Sequence, residues 1–191
     1  RGAIDEPAQL RATVAEQVRR MDDIVQHQLG RAGASGTARF APYLPLAPIL
    51  ARIRDALAKV HAGKSLQFTL DCPADLEWRI DEGDAFEMLG NLMDNASKWA
   101  RQQVAVQVSR DAQGLLVHID DDGPGFPPDP SSVLQLHVRG DEQVPGHGVG
   151  LAVVNDLVTS HQGTLTLGRS PWGGARVEIT LPCAQDSGER D

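Results

Sequence analysis

The chain has 191 residues, with 18 lysines and arginines against 26 aspartates and glutamates, a formal charge of −8. That balance excludes a basic nucleic-acid-binding module, and a chain of this length buries a full core without covalent staples. The two cysteines, Cys72 and Cys183, stand far apart with neither CxxC spacing nor neighbouring histidines, which argues against a zinc site and fits a reducing compartment. No apolar run approaches the roughly 20 residues of a membrane span, and the first residues lack the basic-then-apolar order of a signal peptide. The sequence opens on Arg1 and its helical patterning begins almost at once, as expected of a fragment of something longer.

From Leu10 to Leu29, Val14, Val18, Met21 and Val25 recur at spacings of four, three and four, predicting one long helix with a coiled-coil-like seam that needs a partner helix. Gly30 to Gly36 reads as a small-residue linker, and the domain boundary is expected near residue 38. Leu46, Ile49, Leu50, Ile53, Leu57 and Val60 predict an amphipathic helix, and Leu66, Phe68 and Leu70 a strand, with a further short strand at Glu77 to Ile80. Phe86, Leu89, Leu92, Met93 and Ala96 outline a second helix, opened by Asp81, Glu82 and Asp84, whose charges suit the positive end of its dipole. Val104, Val106 and Val108 alternate, as do Leu115, Val117 and Ile119, giving a hairpin turned at Asp111 to Gly114. A long Gly- and Pro-rich loop follows, of the kind that is usually functional. Leu151, Val154, Leu157 and Val158 predict a third helix, then strands at Thr164 to Leu167 and Ala175 to Leu181 flank a turn at Pro171 to Gly174. A disordered tail is expected from residue 184. With too few βαβ crossovers for a doubly wound sheet, the pattern predicts an α+β fold, one mixed sheet with helices packed on one face.

Three motifs carry chemistry. Asn91, Asn95 and Lys98 are separated by four and three residues, so they project from one face of the second helix. Neutral amide oxygens can complete a Mg²⁺ shell beside phosphates, and an ammonium can neutralise phosphate oxygens; taken alone, the stripe equally fits a solvated face. Asp120-Asp121-Asp122-Gly123-Pro124-Gly125 lies where a strand ends, so that a carboxylate could accept from an amino-bearing ring and glycines could admit a ligand close to the backbone. Alone it could be a turn; a calcium loop fails for want of regularly spaced oxygen ligands. Gly146-His147-Gly148-Val149-Gly150-Leu151 opens the third helix, where unpaired N–H groups suit a polyphosphate. It lacks both the GK[ST] of a P-loop and the βαβ unit of a dinucleotide fold.

In this order and spacing the motifs resemble the N, G1 and G2 boxes of the ATP-binding domain of sensor histidine kinases, in the wider family shared with gyrase, Hsp90 and MutL. The resemblance covers about residues 39 to 183, and Asn91 to Trp99 with Asp121 to Gly125 looks most like the PhoQ-type magnesium-responsive sensors. It implies a two-layer, Bergerat-type ATP-binding sandwich, with residues 1–38 as the second helix of a dimerisation domain plus linker. It also implies that Asn91 and Asn95 hold Mg²⁺ and phosphates, Lys98 touches phosphate, and Trp99 flanks the adenine. Asp121 would accept from the adenine amino group, and Gly123 and Gly125 would line the base pocket. Gly146, His147, Gly148, Val149, Gly150 and Leu151 would form the hinge and phosphate cradle below a lid, to which Arg139 adds a cation. ATP and Mg²⁺ are the implied cofactors. The implied partners are a response regulator and a second copy joined through the helical domain. No nucleic acid is expected, and the domain would sit in the cytoplasm beneath an inner-membrane sensor, touching membrane only through upstream segments.

Within the wider family, the gyrase-like ATPases place a water-activating Glu one turn before the metal-binding asparagine, a place held here by Asn91. An amide is no general base at neutral pH, so the γ-phosphoryl is expected to be kept for a side-chain nucleophile. None of the histidines stands in the sequence context of a phosphoacceptor. His27, His61, His118 and His161 read as structural or solvated, while His137 and His147 fall in or beside the lid. Trp78 is expected to pack in a strand and Trp172 to sit in a tight turn. The lid carries Leu136-His137-Val138 where an aromatic is common in the family, which leaves open a degenerate docking module. A gyrase-like or MutL-like ATPase, or a serine kinase of the anti-sigma type, are further alternatives.

Overall fold

A computed structural model describes residues 41–130 and 149–183. The helix and linker expected in residues 1–38, and the tail from 184, lie outside these residues. The leucine and isoleucine stripe beginning at Leu46 winds Leu46–Val60 into a helix, α1, burying Leu46, Ile49, Leu50, Ile53 and Leu57. Its polar side stays in solvent, as a 3.6-residue period requires.

The second helix, α2, spans Glu82–Trp99. Asp81 caps it, its Oδ1 accepting from the N–H groups of Gly83 at 2.8 Å and Asp84 at 3.3 Å, while Glu82 and Asp84 occupy the first turn. At the other end Lys64 Nζ donates to the carbonyl oxygens of Ser97 (3.1 Å), Lys98 and Ala100 (3.5 Å). A cation is thereby placed where the helix leaves carbonyls unpaired. The third helix, α3, spans Val149–Ser160.

Five strands form one sheet: β2 (Gln67–Asp71), β4 (Gln103–Arg110), β5 (Gly114–Asp121), β6 (Thr164–Arg169) and β7 (Ala175–Pro182), in the order β2-β4-β5-β7-β6. Only β2 with β4 is parallel. Alternation settles which face is covered. Val104, Val106, Val108, Val117, Ile119, Val177 and Ile179 are buried and join the core with the helices, whereas His118 and Glu178 pair across the opposite face. The two-layer sandwich with helices on one face is therefore as the pattern predicts. Asp111 sets the β4–β5 turn, its Oδ1 accepting from the N–H groups of Gln113 (2.8 Å) and Gly114 (3.1 Å).

The sequence pattern misassigns one detail. The strand at Glu77–Arg79, β3, does not enter the main sheet; it pairs antiparallel with Tyr43–Pro45, β1, a strand the pattern does not predict. Three residues are too few to show alternation, and Pro45 lacks the N–H that a central strand would need. The ribbon is fastened by Arg79, whose Nε donates to the Ala41 carbonyl at 3.0 Å and whose guanidinium lies 5.7 Å from the Tyr43 ring centroid. Trp78 is buried beneath it.

Helix directions follow from side-chain contacts. Arg52 meets Glu82 while His61 meets Asp94, so α1 and α2 run parallel. His161, just past α3, meets Asp84, while Gly150 at its start lies against Asn91, so α3 runs antiparallel to α2. This arrangement brings the first turn of α3 to Asn91, where the polar stripe on α2 begins.

Candidate functional site

On α2, Asn91 Nδ2 donates to the Glu87 carbonyl one turn back, at 2.8 Å. The amide is thereby fixed with Oδ1 toward α3, 3.1 Å from where a Cβ on Gly150 would stand. Glycine at 150 leaves that oxygen room; Leu151, the next residue, is buried in the core and anchors the turn. Asn95 follows at the same helical face, half-buried. Lys98 is exposed, its Nζ 2.6 Å from Asp94 Oδ2. Trp99, at the helix end, is 40% exposed.

The strand end carries three consecutive aspartates with three environments. Asp120 points to the outer sheet face and takes a two-pronged contact from Arg176, Nε to Oδ1 at 2.7 Å and Nη2 to Oδ2 at 2.6 Å. Asp121 points to the helix side and is 4% exposed; its Oδ1 accepts the N–H groups of Gly123 at 2.8 Å and Ala175 at 3.1 Å. No donor among the described residues reaches its Oδ2. Burial pushes the Asp121 carboxyl above the ordinary carboxylate range; the two N–H donors pull against that, and the charges of Asp122 and Asp120 add to it. Asp122 joins the β4 end, its Oδ1 accepting from Arg101 N–H at 2.7 Å and Gln102 N–H at 3.0 Å. For Asp122, burial raises the carboxyl but is outweighed by the N–H groups of Gln102, Gln103 and Arg101, which hold it below the ordinary range.

The glycines close the space between these parts. A Cβ on Gly123 would stand 2.5 Å from the Trp99 carbonyl oxygen, so the loop after β5 presses on the end of α2. Gly125 has φ +83°, in the left-handed region that glycine enters freely. The β6–β7 turn completes the wall. Ser170 Oγ donates to the Asp121 carbonyl at 2.6 Å and accepts from the N–H groups of Gly174 (3.0 Å) and Trp172 (3.3 Å). A Cβ on Gly174 would meet the Asp121 carbonyl oxygen at 2.2 Å.

Ser170, Gly174 and Ala175 are site-forming residues absent from the sequence-based set. The Pro171-Trp172-Gly173-Gly174 string signals a turn, but nothing local says that the turn folds onto the end of β5, which becomes its neighbour only through the β5–β7 pairing.

The structure thus joins Asn91 to Gly150 midway along α2, and Gly123, with Asp121 behind it, to the Trp99 carbonyl at the end of that helix. Arg139, Gly146, His147 and Gly148 lie outside the described residues; Val149 opens α3. Three histidines read as structural each hold a carboxylate: His61 with Asp94 at 3.0 Å, His118 with Glu178 at 2.8 Å and His161 with Asp84 at 2.9 Å. Trp172 sits in its turn, exposed.

Residues 80–185 match the family described as histidine kinase-, DNA gyrase B- and HSP90-like ATPase. Among curated proteins, the chain is 38% identical over 91% of its length to the sensor protein kinase CarS of Pseudomonas aeruginosa, of which it covers 39%. It is 32% identical over 86% of its length to the sensor protein PhoQ of Escherichia coli (strain K12), of which it covers 34%. Among solved structures, the ATP-binding domain of PrrB from Mycobacterium tuberculosis superimposes with a TM-score of 0.62 and 25% identity, over 75% of this chain and 97% of that one. The chain spans between a third and two-fifths of these two relatives' length. The chain belongs to the family of histidine kinase-, DNA gyrase B- and HSP90-like ATPases, and the two-layer unit that bears the site is an ATP-binding catalytic domain of the sensor histidine kinase type.

Proposed function

We propose that residues 39–183 bind Mg·ATP and transfer its γ-phosphoryl group to a histidine on an upstream helix, for relay to a response regulator. In this reading residues 1–38 supply the second helix of a dimerisation domain and a linker, residues 184–191 are a tail, and the whole protein is a dimeric membrane sensor with this domain in the cytoplasm. The observation that carries the reading is the placement of Asn91 against Gly150 midway along α2, and of Gly123, whose N–H is held by Asp121, against the Trp99 carbonyl at the end of the same helix. That spacing suits phosphates at one end and a purine at the other.

Asp121 Oδ2 would accept from the adenine amino group and Trp99 would cover a ring face, with Gly123 and Gly125 giving the base room. Gly146, His147, Gly148, Val149 and Gly150 would offer N–H groups to the phosphates at the start of α3, and Lys98 and Arg139 would add cations. Asn91 and Asn95 fit Mg²⁺: both offer hard oxygens, and the Glu87 carbonyl holds the Asn91 Nδ2 so that Oδ1 is presented. Two neutral amides do not neutralise a dication, so the remaining positions would be filled by phosphate oxygens and water. The cation would offset charge on the phosphates as the transferred group leaves. A histidine ring nitrogen would attack the γ-phosphorus in line as the bond to the β–γ bridging oxygen breaks, releasing ADP. The Asn91 amide, bonded back to its own helix, takes no proton from water, which preserves the phosphoryl group for that nucleophile.

The test is a transfer assay with labelled ATP. The 191-residue chain should bind Mg·ATP without labelling itself, and should label a supplied dimerisation domain bearing the histidine. Nucleotide affinity without transfer would instead mark a docking module, acid-stable product a serine kinase, and steady phosphate release abolished by Asp121→Asn a gyrase-like ATPase.

A further inference from the structure

We propose that Asp94 acts on nucleotide binding through Lys98, as a built-in anion that competes with the nucleotide's phosphates for the Lys98 ammonium. The inference rests on the reading of Lys98 as a phosphate contact. Asp94 stands between Asn91 and Asn95 in the chain, one turn before Lys98, and each of its carboxylate oxygens is in use. Oδ1 is shared with His61 Nε2 at 3.0 Å, and Oδ2 holds Lys98 Nζ at 2.6 Å. The His61 ring is largely buried, and its main-chain N–H donates to the Leu57 carbonyl at 2.8 Å, closing the end of α1. The ring is therefore placed by the fold and holds Asp94 with Oδ2 toward the lysine. Asp94 cannot turn aside without giving up His61.

A phosphate approaching Lys98 meets this arrangement in one of two ways. It takes the ammonium from Asp94, or it shares the ammonium and feels the carboxylate's charge. Both oppose phosphate, and neither touches a nucleoside. The effect must therefore grow with the number of phosphates and vanish for adenosine. It also favours release of the product: as ADP departs, Oδ2 takes the ammonium back. Because the Asp94–Lys98 pair is half-exposed, the exchange is easy and its effect modest.

The test uses the 191-residue chain, with calorimetric affinities for Mg·ATP, Mg·ADP and adenosine and stopped-flow release of ADP. Asp94→Asn, which keeps a hydrogen-bonding group beside His61 while removing the charge, should tighten ATP and ADP by about two- to five-fold. It should slow ADP release by a similar factor and leave adenosine unchanged. In a Lys98→Met background the same substitution should lose most of its effect. Unchanged or weaker ATP binding in Asp94→Asn, an equal change for adenosine, or an undiminished effect beside Lys98→Met would overturn the proposal. The thermal midpoint and retained adenosine binding certify the fold, and if Asp94→Asn does not fold, Asp94→Ser is read by the same criteria. A wild-type chain that binds none of the three ligands overturns the nucleotide reading itself; binding without a response to Asp94→Asn overturns only the competition.

Discussion

Ser170 donates its hydroxyl to the main-chain carbonyl of Asp121 at 2.6 Å, tying the β6–β7 turn to the strand end that carries the site carboxylate. The same oxygen accepts from Gly174 and Trp172, so one buried atom organises three main-chain groups. Ser170→Ala removes the donor and leaves two N–H groups and a carbonyl short of partners. The expected loss of stability is about 1–3 kcal/mol by chemical denaturation, together with weaker nucleotide binding, because Ala175 N–H, which fixes Asp121 Oδ1, is set by the same turn. Unchanged denaturation and unchanged affinity would show that the turn holds without its hydroxyl.

Asp121→Asn separates folding from recognition. The amide oxygen can still accept from Gly123 and Ala175, so both structural bonds survive. The position of Oδ2 becomes a donor, which in the proposed binding mode would face the adenine amino group donor to donor. Nucleotide affinity should fall by at least about tenfold, the loss of one well-placed buried hydrogen bond with an unpaired group left behind, while the thermal midpoint at neutral pH stays or rises. The rise has a stated sign: the folded carboxyl titrates above its unfolded value, so the folded state binds the extra proton. Its contribution to stability is full below the unfolded pKa and is lost as pH rises through the folded one. The uncharged amide is free of that loss. The difference in stability between variant and wild type should therefore grow with pH across the interval between the two pKa values.

Helices and the sheet are legible in the sequence wherever apolar residues repeat often enough to define a period. Ile49 to Leu57 and Val104 to Val108 each fix a buried face, and Asp81 and Asp111 announce a helix start and a turn. The candidate site is legible where one element carries several chemical groups, as the proposed Asn91 and Lys98 on α2. What stayed hidden depends on contacts between distant segments. β1 is too short to show alternation, Ser170 is an ordinary serine until β7 pairs with β5, and Asp94 gains meaning only when α1 delivers His61 to it.

Asp122 has the opposite pH behaviour to its neighbour. Main-chain N–H groups of Arg101 and Gln102 hold it ionised, lowering its folded pKa. Its contribution is present above the unfolded pKa and is lost as pH falls through the folded value. Asp122→Asn should therefore cost stability near neutrality and very little in strong acid, flattening the acid limb of a stability profile measured by denaturant titration. An acid limb identical to wild type would place the acid sensitivity on other carboxylates.

Gly150 and Gly123 predict contrasting outcomes for the same substitution. A Cβ at 150 would sit 3.1 Å from Asn91 Oδ1, the end of a side chain that can give by a few tenths of an ångström. Gly150→Ala should fold at near wild-type stability, since alanine is the better helix former. It should displace the amide oxygen and so weaken Mg·ATP more than ATP without magnesium. A Cβ at 123 would sit 2.5 Å from the Trp99 carbonyl oxygen, a main-chain atom at the end of α2 that cannot move alone. Gly123→Ala should therefore lower the thermal midpoint and weaken nucleotide with and without magnesium alike, because it parts the loop from the helix end that together border the base. Paired titrations of the two variants, with and without magnesium, separate an effect on the cation from one on the purine. Equal magnesium dependence in both would detach Asn91 from the metal and leave it a purely helical residue.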